Sequence, residues 1–87
     1  MLRYDATKSF WKQYKKLTPK IQSQFDTRLK LFIVDQANPK LKSHPLKGKY
    51  KGYWSINITG DIRALYCWEA DELIIFTHIG THSALYG

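Results

Sequence analysis

The sequence predicts an α+β domain in which an N-terminal strand and two helices pack on a mainly antiparallel four-stranded sheet. Three observations lead there. Apolar residues recur at helical spacing up to Asn38, they alternate at strand spacing from Tyr53 onward, and short polar turns join the later runs as in a meander.

Leu2 to Ala6 alternates weakly and suits a short strand that must find its place in the same sheet. Thr7 or Ser9 can then cap a helix carrying Phe10, Tyr14 and Leu17. Thr18-Pro19 starts a second helix, because the threonine accepts orphan amide bonds while proline at the first helical position lacks the donor that would go unpaired. Its apolar stripe is Ile21, Phe25, Leu29, Phe32 and Ile33, and it runs to about Gln36, before Asn38-Pro39 disfavours further helix. From Lys40 to Gly52 the chain holds five lysines and no acidic residue, which makes it a cationic loop. Tyr53 to Thr59 alternates as a strand, Gly60-Asp61 supplies a turn, and Ile62 to Trp68 follows as the next strand. Glu69 to Glu72 is a polar turn, and Leu73 to His78 is a strand of mostly β-branched and aromatic residues. Phe10, Tyr14, Ile21, Phe25, Leu29, Phe32, Ile56, Ile58 and Phe76 are expected to share one core.

A length of 87 residues fits one domain spanning 1–87, and 44% hydrophobic residues suffice for it to fold. The longest apolar runs, such as Leu31 to Val34 and Leu73 to Phe76, fall far short of a membrane span or a signal-peptide core. A single cysteine, Cys67, excludes an internal disulfide. A soluble, cytoplasmic protein is therefore expected. The 14 Lys and Arg against 7 Asp and Glu leave a net charge of +7, which favours a polyanionic partner and leaves nucleic acid, an acidic protein and an anionic membrane open.

No Gly-rich phosphate loop, His-Glu-x-x-His or paired-Cys motif is present, so nucleotide hydrolysis and metal catalysis have no support, and no cofactor is expected. Three histidines remain. His82 follows Gly80-Thr81 at the sheet's exit and precedes Tyr86, which reads equally as a reactive pair at a strand end and as surface residues near the C-terminus. His44 lies among lysines, where its ordinary role is that of a solvated loop residue. His78 shares a strand face with Ile74 and Phe76 by alternation and reads as a packed structural histidine there. Asp61 and Arg63 bracket a hairpin corner; aspartate favours turns, and an arginine beside Leu65 and Cys67 calls for an anionic partner such as a phosphate. Lys42, Lys47, Lys49 and Lys51, interleaved with Tyr50, Tyr53 and Trp54, suit an RNA contact in which lysines meet phosphates and rings meet bases.

His44-Pro45-Leu46-Lys47-Gly48, Lys51-Gly52-Tyr53, Gly60-Asp61 with Tyr66 downstream, and Gly80-Thr81-His82-Ser83-Ala84-Leu85-Tyr86 resemble the ordered signature of YafQ-type toxins in the RelE superfamily. The similarity covers about the C-terminal half. It implies a RelE-like fold and a ribosome-dependent endoribonuclease that cuts messenger RNA without a metal and is neutralised by a cognate antitoxin. It also implies an active site containing His44, Asp61, His82 and Tyr86. Two positions depart from the pattern: Asn57 stands where those toxins carry a second histidine, and Ile62 where they carry tryptophan. Arg63 resembles the arginine that RelE places on the equivalent strand.

Metal-free RNA cleavage needs a base for the ribose 2′-OH, cations for the phosphorane and an acid for the leaving 5′-oxygen. Arg63 with Lys47 or Lys49 suits the phosphate charge, His82 the acid, His44 or Asp61 the base, and Tyr86 a stacking or leaving-group role; the two histidines can exchange parts. Two rivals stand beside this reading. A ParE-like toxin inhibits gyrase by binding, and a non-catalytic nucleic-acid-binding module would account for Asn57.

Overall fold

Two threonines set where the first helices begin in the computed structural model, which describes residues 2–86. Thr7 Oγ1 accepts the Phe10 amide at 3.1 Å and starts α1 (Lys8–Lys15). Thr18 Oγ1 accepts the Ile21 amide at 3.3 Å, with Pro19 in the first helical position of α2 (Pro19–Val34). Gln22 Nε2 donates back to the carbonyls of Tyr14 and Leu17, tying the start of α2 to the end of α1. The second helix stops two residues before Gln36 because the chain there folds into a side-chain-bonded turn. In it Asn38 donates to Asp35 Oδ2 and accepts from the Lys40 amide.

The sheet has five strands rather than four, in the order β1-β5-β4-β3-β2. Its strands are β1 (Arg3–Ala6), β2 (His44–Pro45), β3 (Trp54–Asn57), β4 (Ile62–Ala70) and β5 (Leu73–Thr81). The meander β3-β4-β5 is antiparallel and leaves one side of β5 open, and β1 fills it in parallel, so the sheet is mixed. The added strand β2 comes from the cationic loop, where His44 and Pro45 pair with Ser55 and Trp54. A short helix, α3 (His82–Tyr86), ends the described chain.

One face of the sheet carries the helices. Phe10, Phe25 and Phe76 meet there with ring centroids 5.4 to 5.6 Å apart, and Phe32 packs on Tyr66 at 5.1 Å. Leu29, Ile56, Ile58, Ile62, Ala64, Ile74 and Ile79 complete this core, while Tyr14 and Ile21 sit at its margin, half-buried. The opposite face of the meander has its own buried apolar residues, Leu65 from β4 and Leu85 from α3.

A β-bulge at Thr77 corrects the expected place of His78. Tyr66 pairs with Phe76 and Leu65 with His78, so Thr77 is the extra residue and the alternation of β5 reverses across it. Ile74 and Phe76 face the helices before the bulge and Ile79 after it, which sends His78 to the other face. The interrupted ladder is bonded by side chains: Thr77 Oγ1 donates to the Leu65 carbonyl at 3.4 Å, and Gln13 Oε1 on α1 accepts the buried Ile79 amide at 2.8 Å. Gln13→Ala leaves that amide without its acceptor and should cost about 1–3 kcal/mol of unfolding free energy. A urea denaturation curve superimposable on the wild type would show that the bulge does not need it.

Candidate active site

The cationic loop is an ordered ridge. Buried Leu41 anchors a 3₁₀ turn (Pro39–Leu41), a second such turn (Gly48–Tyr50) follows β2, and Leu46 donates its amide to the Tyr53 carbonyl at 2.9 Å. Gly48 at φ 64° and Gly52 at φ 97° occupy the left-handed region that side chains disfavour. Lys42 is held there too, at φ 47°, without glycine's freedom. This turn aims the Lys42 carbonyl at the His44 ring, 2.8 Å from Nδ1. A carbonyl only accepts, so Nδ1 carries the hydrogen, and in the neutral ring the lone pair lies on Nε2.

The second histidine arrives from the far end of the chain. Strand β5 runs past the expected end at His78 to Thr81, and the helix starts at His82, with Thr81 Oγ1 accepting the Ala84 amide at 3.0 Å. His82 donates its own amide to the Asp61 carbonyl at 3.0 Å, which ties the start of α3 to the β3-β4 turn. Tyr86 lies one helical turn on, its ring 4.7 Å from that of His82. Gly80 lies beneath the helix, where a Cβ would meet Ala84 and Leu85 at 3.8 Å. Tyr50 then joins the two halves: its hydroxyl donates to the Leu85 carbonyl at 2.8 Å and its ring meets Tyr86 edge-on at 5.7 Å.

Arg63 lies between them on β4, opposite Asn57 on one side and Gly80 on the other. Its Nη1 donates to the main-chain carbonyls of Thr59 and Gly60 at 3.2 and 3.1 Å, contacts that fix the guanidinium and leave its charge in place. The result is a cavity of about 590 Å³ lined by His44, His82, Tyr86, Arg63, Lys42 and Lys47, with Tyr50, Leu46, Ser55 and Asn57 completing the wall. Three cations, two histidines and no carboxylate line it. Such a lining suits an anion flanked by two proton-transfer groups.

Three of the expected site residues stand outside that lining. Asp61 is exposed at the hairpin turn and meets the site through its carbonyl. Lys49 stands 5.6 Å over the Tyr50 ring and borders a neighbouring groove with Lys47 and Tyr86, and Lys51 is exposed on the ridge beyond it. Tyr50, expected among the rings that meet RNA bases, is a wall residue, and so is Ser55, which the sequence did not single out. For Tyr50 the available signal was its place between Lys49 and Lys51; for Ser55, one polar residue between Trp54 and Ile56 carried none. Among the described residues no group of three or more His, Cys, Asp or Glu is placed to hold a metal, and no helix is long and apolar enough to cross a membrane.

His78 is neither core nor lining. It is half-buried on the site face against Tyr50 and Tyr53, with ring centroids at 5.7 and 6.0 Å, and Nδ1 lies 2.9 Å from Thr77 Oγ1. Burial first, and then the charge of Lys49, push its pKa below the usual histidine value. The unfolded chain therefore takes up a proton near pH 6.5 that the folded chain resists. This contribution is neutral to stability above that pH, and stability is lost as the pH falls through it toward the lower folded value. The melting temperature of the wild type should fall more steeply than that of His78→Gln between about pH 7.5 and 5.5; equal slopes would show that His78 titrates as it does in the unfolded chain.

Three comparisons with known proteins bear on this arrangement. The profile of the family described as "Bacterial toxin of type II toxin-antitoxin system, YafQ" matches residues 2–87. The mRNA interferase toxin YafQ of Escherichia coli (strain K12) is 41% identical over 46 residues, covering 53% of this chain and 49% of that protein, so the aligned part spans about half of this curated relative. Among solved structures, YafQ from E. coli strain BL21(DE3) superposes with a TM-score of 0.82 at 24% identity, covering all of both chains. The E. coli DinJ-YafQ toxin-antitoxin complex matches at 26% identity and a TM-score of 0.79 over 99% of this chain and 98% of that one. A YoeB/ParE toxin from Agrobacterium tumefaciens shares the fold at 21% identity and a TM-score of 0.76, over 93% and 99%. With its profile matched across nearly its whole length, the chain belongs to the YafQ family of bacterial toxins of type II toxin–antitoxin systems.

Proposed function

We propose that this chain, acting as one domain in the cytoplasm, is an mRNA interferase that cuts messenger RNA on the ribosome by attack of the ribose 2′-OH and needs no metal or other cofactor. The observation that carries the reading is the convergence of His44 and His82 with Arg63, Lys42 and Lys47 around one cavity. His44 Nε2 takes the 2′-OH proton, the 2′-oxygen bonds to the adjacent phosphorus, and the bond from phosphorus to the 5′-oxygen breaks. His82 donates its proton to that 5′-oxygen, leaving a 2′,3′-cyclic phosphate and a 5′-hydroxyl end. Arg63 and the two lysines hold the charge that builds on the phosphorane, in a cleft where positioned cations act more strongly than in bulk water. Tyr86, its ring packed at a tilt beside that of His82, offers that ring to a base. Lys49 and Lys51 extend the cationic ridge toward neighbouring phosphates, and Asp61 serves by fixing His82 through its carbonyl.

The cognate antitoxin completes the reading. The related YafQ was solved in a toxin-antitoxin complex, and an acidic antitoxin segment fits the lysine ridge here. Asn57, which cannot transfer a proton, favours a second reading as an RNA-binding module that no longer cuts, and a YoeB/ParE relative of the same fold keeps gyrase binding as a third.

Mapping messenger ends after incubation with programmed ribosomes separates the three. Wild-type protein should produce new ends, and His82→Ala and His44→Ala should each slow their appearance by at least about 10²-fold while ribosome binding persists, since a proton-transfer group acts on the transition state. Ribosome binding without new ends would leave the binding module, and inhibition of gyrase without either would leave the ParE-like reading.

A further inference from the structure

A second groove, of about 510 Å³, lies on the helix side of the sheet beside the end of α2. Its walls are Trp54 on β3, Trp68 on β4, Gln36 and Asn38 in the turn after the helix, and Lys42 and Ser43. Trp54 is paired with Tyr66, and Trp68 follows Tyr66 on the same face of β4. Tyr66 is buried at the base of the groove, its hydroxyl bonded to Ser43 Oγ at 2.8 Å, so the indoles are the rings a ligand can reach. Trp68 is 38% exposed, and Trp54 is half-buried with its ring stacked on that of Tyr66 at 6.4 Å. A single exposed apolar side chain is ordinary, but two indoles bordering one concave site suit a flat aromatic ligand. Lys42 supplies a charge, and the described lining holds no carboxylate. The same lysine lines the cavity of His44, His82 and Arg63, so the two sites are continuous around the edge of the sheet, where β2 is only two residues long.

We propose that this groove is a nucleobase subsite for the messenger: the strand leaves the cleavage cavity around the sheet edge, Lys42 stands between successive phosphates, and the next base stacks on Trp68 beside Trp54. This rests on the cleavage reading above and extends it to the nucleotide that flanks the cut. Every base has a face to stack, so the groove adds affinity more than sequence choice. Gln36, exposed at the rim, meets the polar edge of the stacked base with its amide. An acidic antitoxin segment is drawn instead to Lys47, Lys49 and Lys51, where charge is densest. One lysine beside two flat rings fits a single nucleotide better than an acidic peptide. The groove holds no proton-transfer group, so it acts on binding and leaves the chemical step to the histidines.

Trp68→Leu keeps an apolar side chain and removes the stacking face, whereas Trp68→Phe keeps a ring. In a His82→Ala background, where the messenger stays intact, binding to programmed ribosomes is measured with an abasic ribose placed at each messenger position in turn. At one position the abasic site should weaken binding by about 5- to 100-fold, the effect of one lost stack, and Trp68→Leu should weaken binding of the intact messenger by a similar factor. With Trp68→Leu the abasic site at that position should weaken binding no further, because the two changes remove the same contact, and Trp68→Phe should keep most of the affinity. With His82 in place, Trp68→Leu should raise KM by that factor and leave kcat unchanged. The same abasic losses with and without Trp68→Leu would overturn the proposal, and so would equal losses in the Leu and Phe variants, which would point to packing within the fold. Loss of antitoxin binding at unchanged messenger affinity would overturn it too, making the groove a protein-docking face. Wild-type protein that cuts no messenger is a separate result: it refutes the cleavage reading, and the binding comparison, which needs no cut, still decides the subsite.

Discussion

Strand β4 is the constraint on which the rest depends. It is paired along its length with β5 and at its start with β3, and it sends Ile62, Ala64 and Tyr66 into the helix-side core while Arg63 and Leu65 face the other way. Because side chains alternate strictly, seating the core residues of β4 against the phenylalanines also places Arg63 between Asn57 and Gly80. The bulge at Thr77 modifies that rule on one strand only. It keeps Ile79 in the core and moves His78 to the site face, where its ring supports Tyr50. Packing on one face and chemistry on the other thus follow from a single register.

The histidines need a second device, because they come from segments nearly forty residues apart that the sheet alone does not join. The His82 amide bonded to the Asp61 carbonyl fixes one end of α3, and the Tyr50 hydroxyl bonded to the Leu85 carbonyl fixes the other. A helix of five residues has little stability of its own, so these tertiary bonds and buried Leu85 hold it. The left-handed turn at Lys42 does the same for His44 by presenting it with a carbonyl. Each histidine is therefore held by main-chain groups, which frees the cationic side chains for a ligand.

Much of this was legible in the sequence. Thr7, Thr18-Pro19 and Asn38-Pro39 mark the helix boundaries because capping and proline chemistry are local, and Phe25, Phe32, Ile56 and Phe76 reveal the core because burial imposes a period. The fifth strand was not legible, since two residues, His44 and Pro45, carry no periodicity and become a strand only by pairing with Ser55 and Trp54. The parallel seat of β1 depends on which edge the meander leaves open, a tertiary fact. His78 was misplaced because the bulge shifts the period by one residue with no local mark, its bonding being completed by Gln13, 66 positions away. At the site, the ordered motifs around His44 and His82 announced both histidines, whereas the peripheral place of the Asp61 side chain and the wall position of Ser55 are visible only once the strands are assembled.

The central claim is that one phosphate of the messenger lies between the two histidines on this face of the sheet. A structure of the protein on a programmed ribosome, with a 2′-O-methyl group at the cut position to block cleavage, tests it most directly. The account predicts the scissile phosphate within hydrogen-bond distance of Arg63, the 5′-oxygen beside His82 and the modified 2′-oxygen facing His44 Nε2. A messenger whose phosphate lies outside the cavity, with His44 and His82 both turned away from it, would contradict the account.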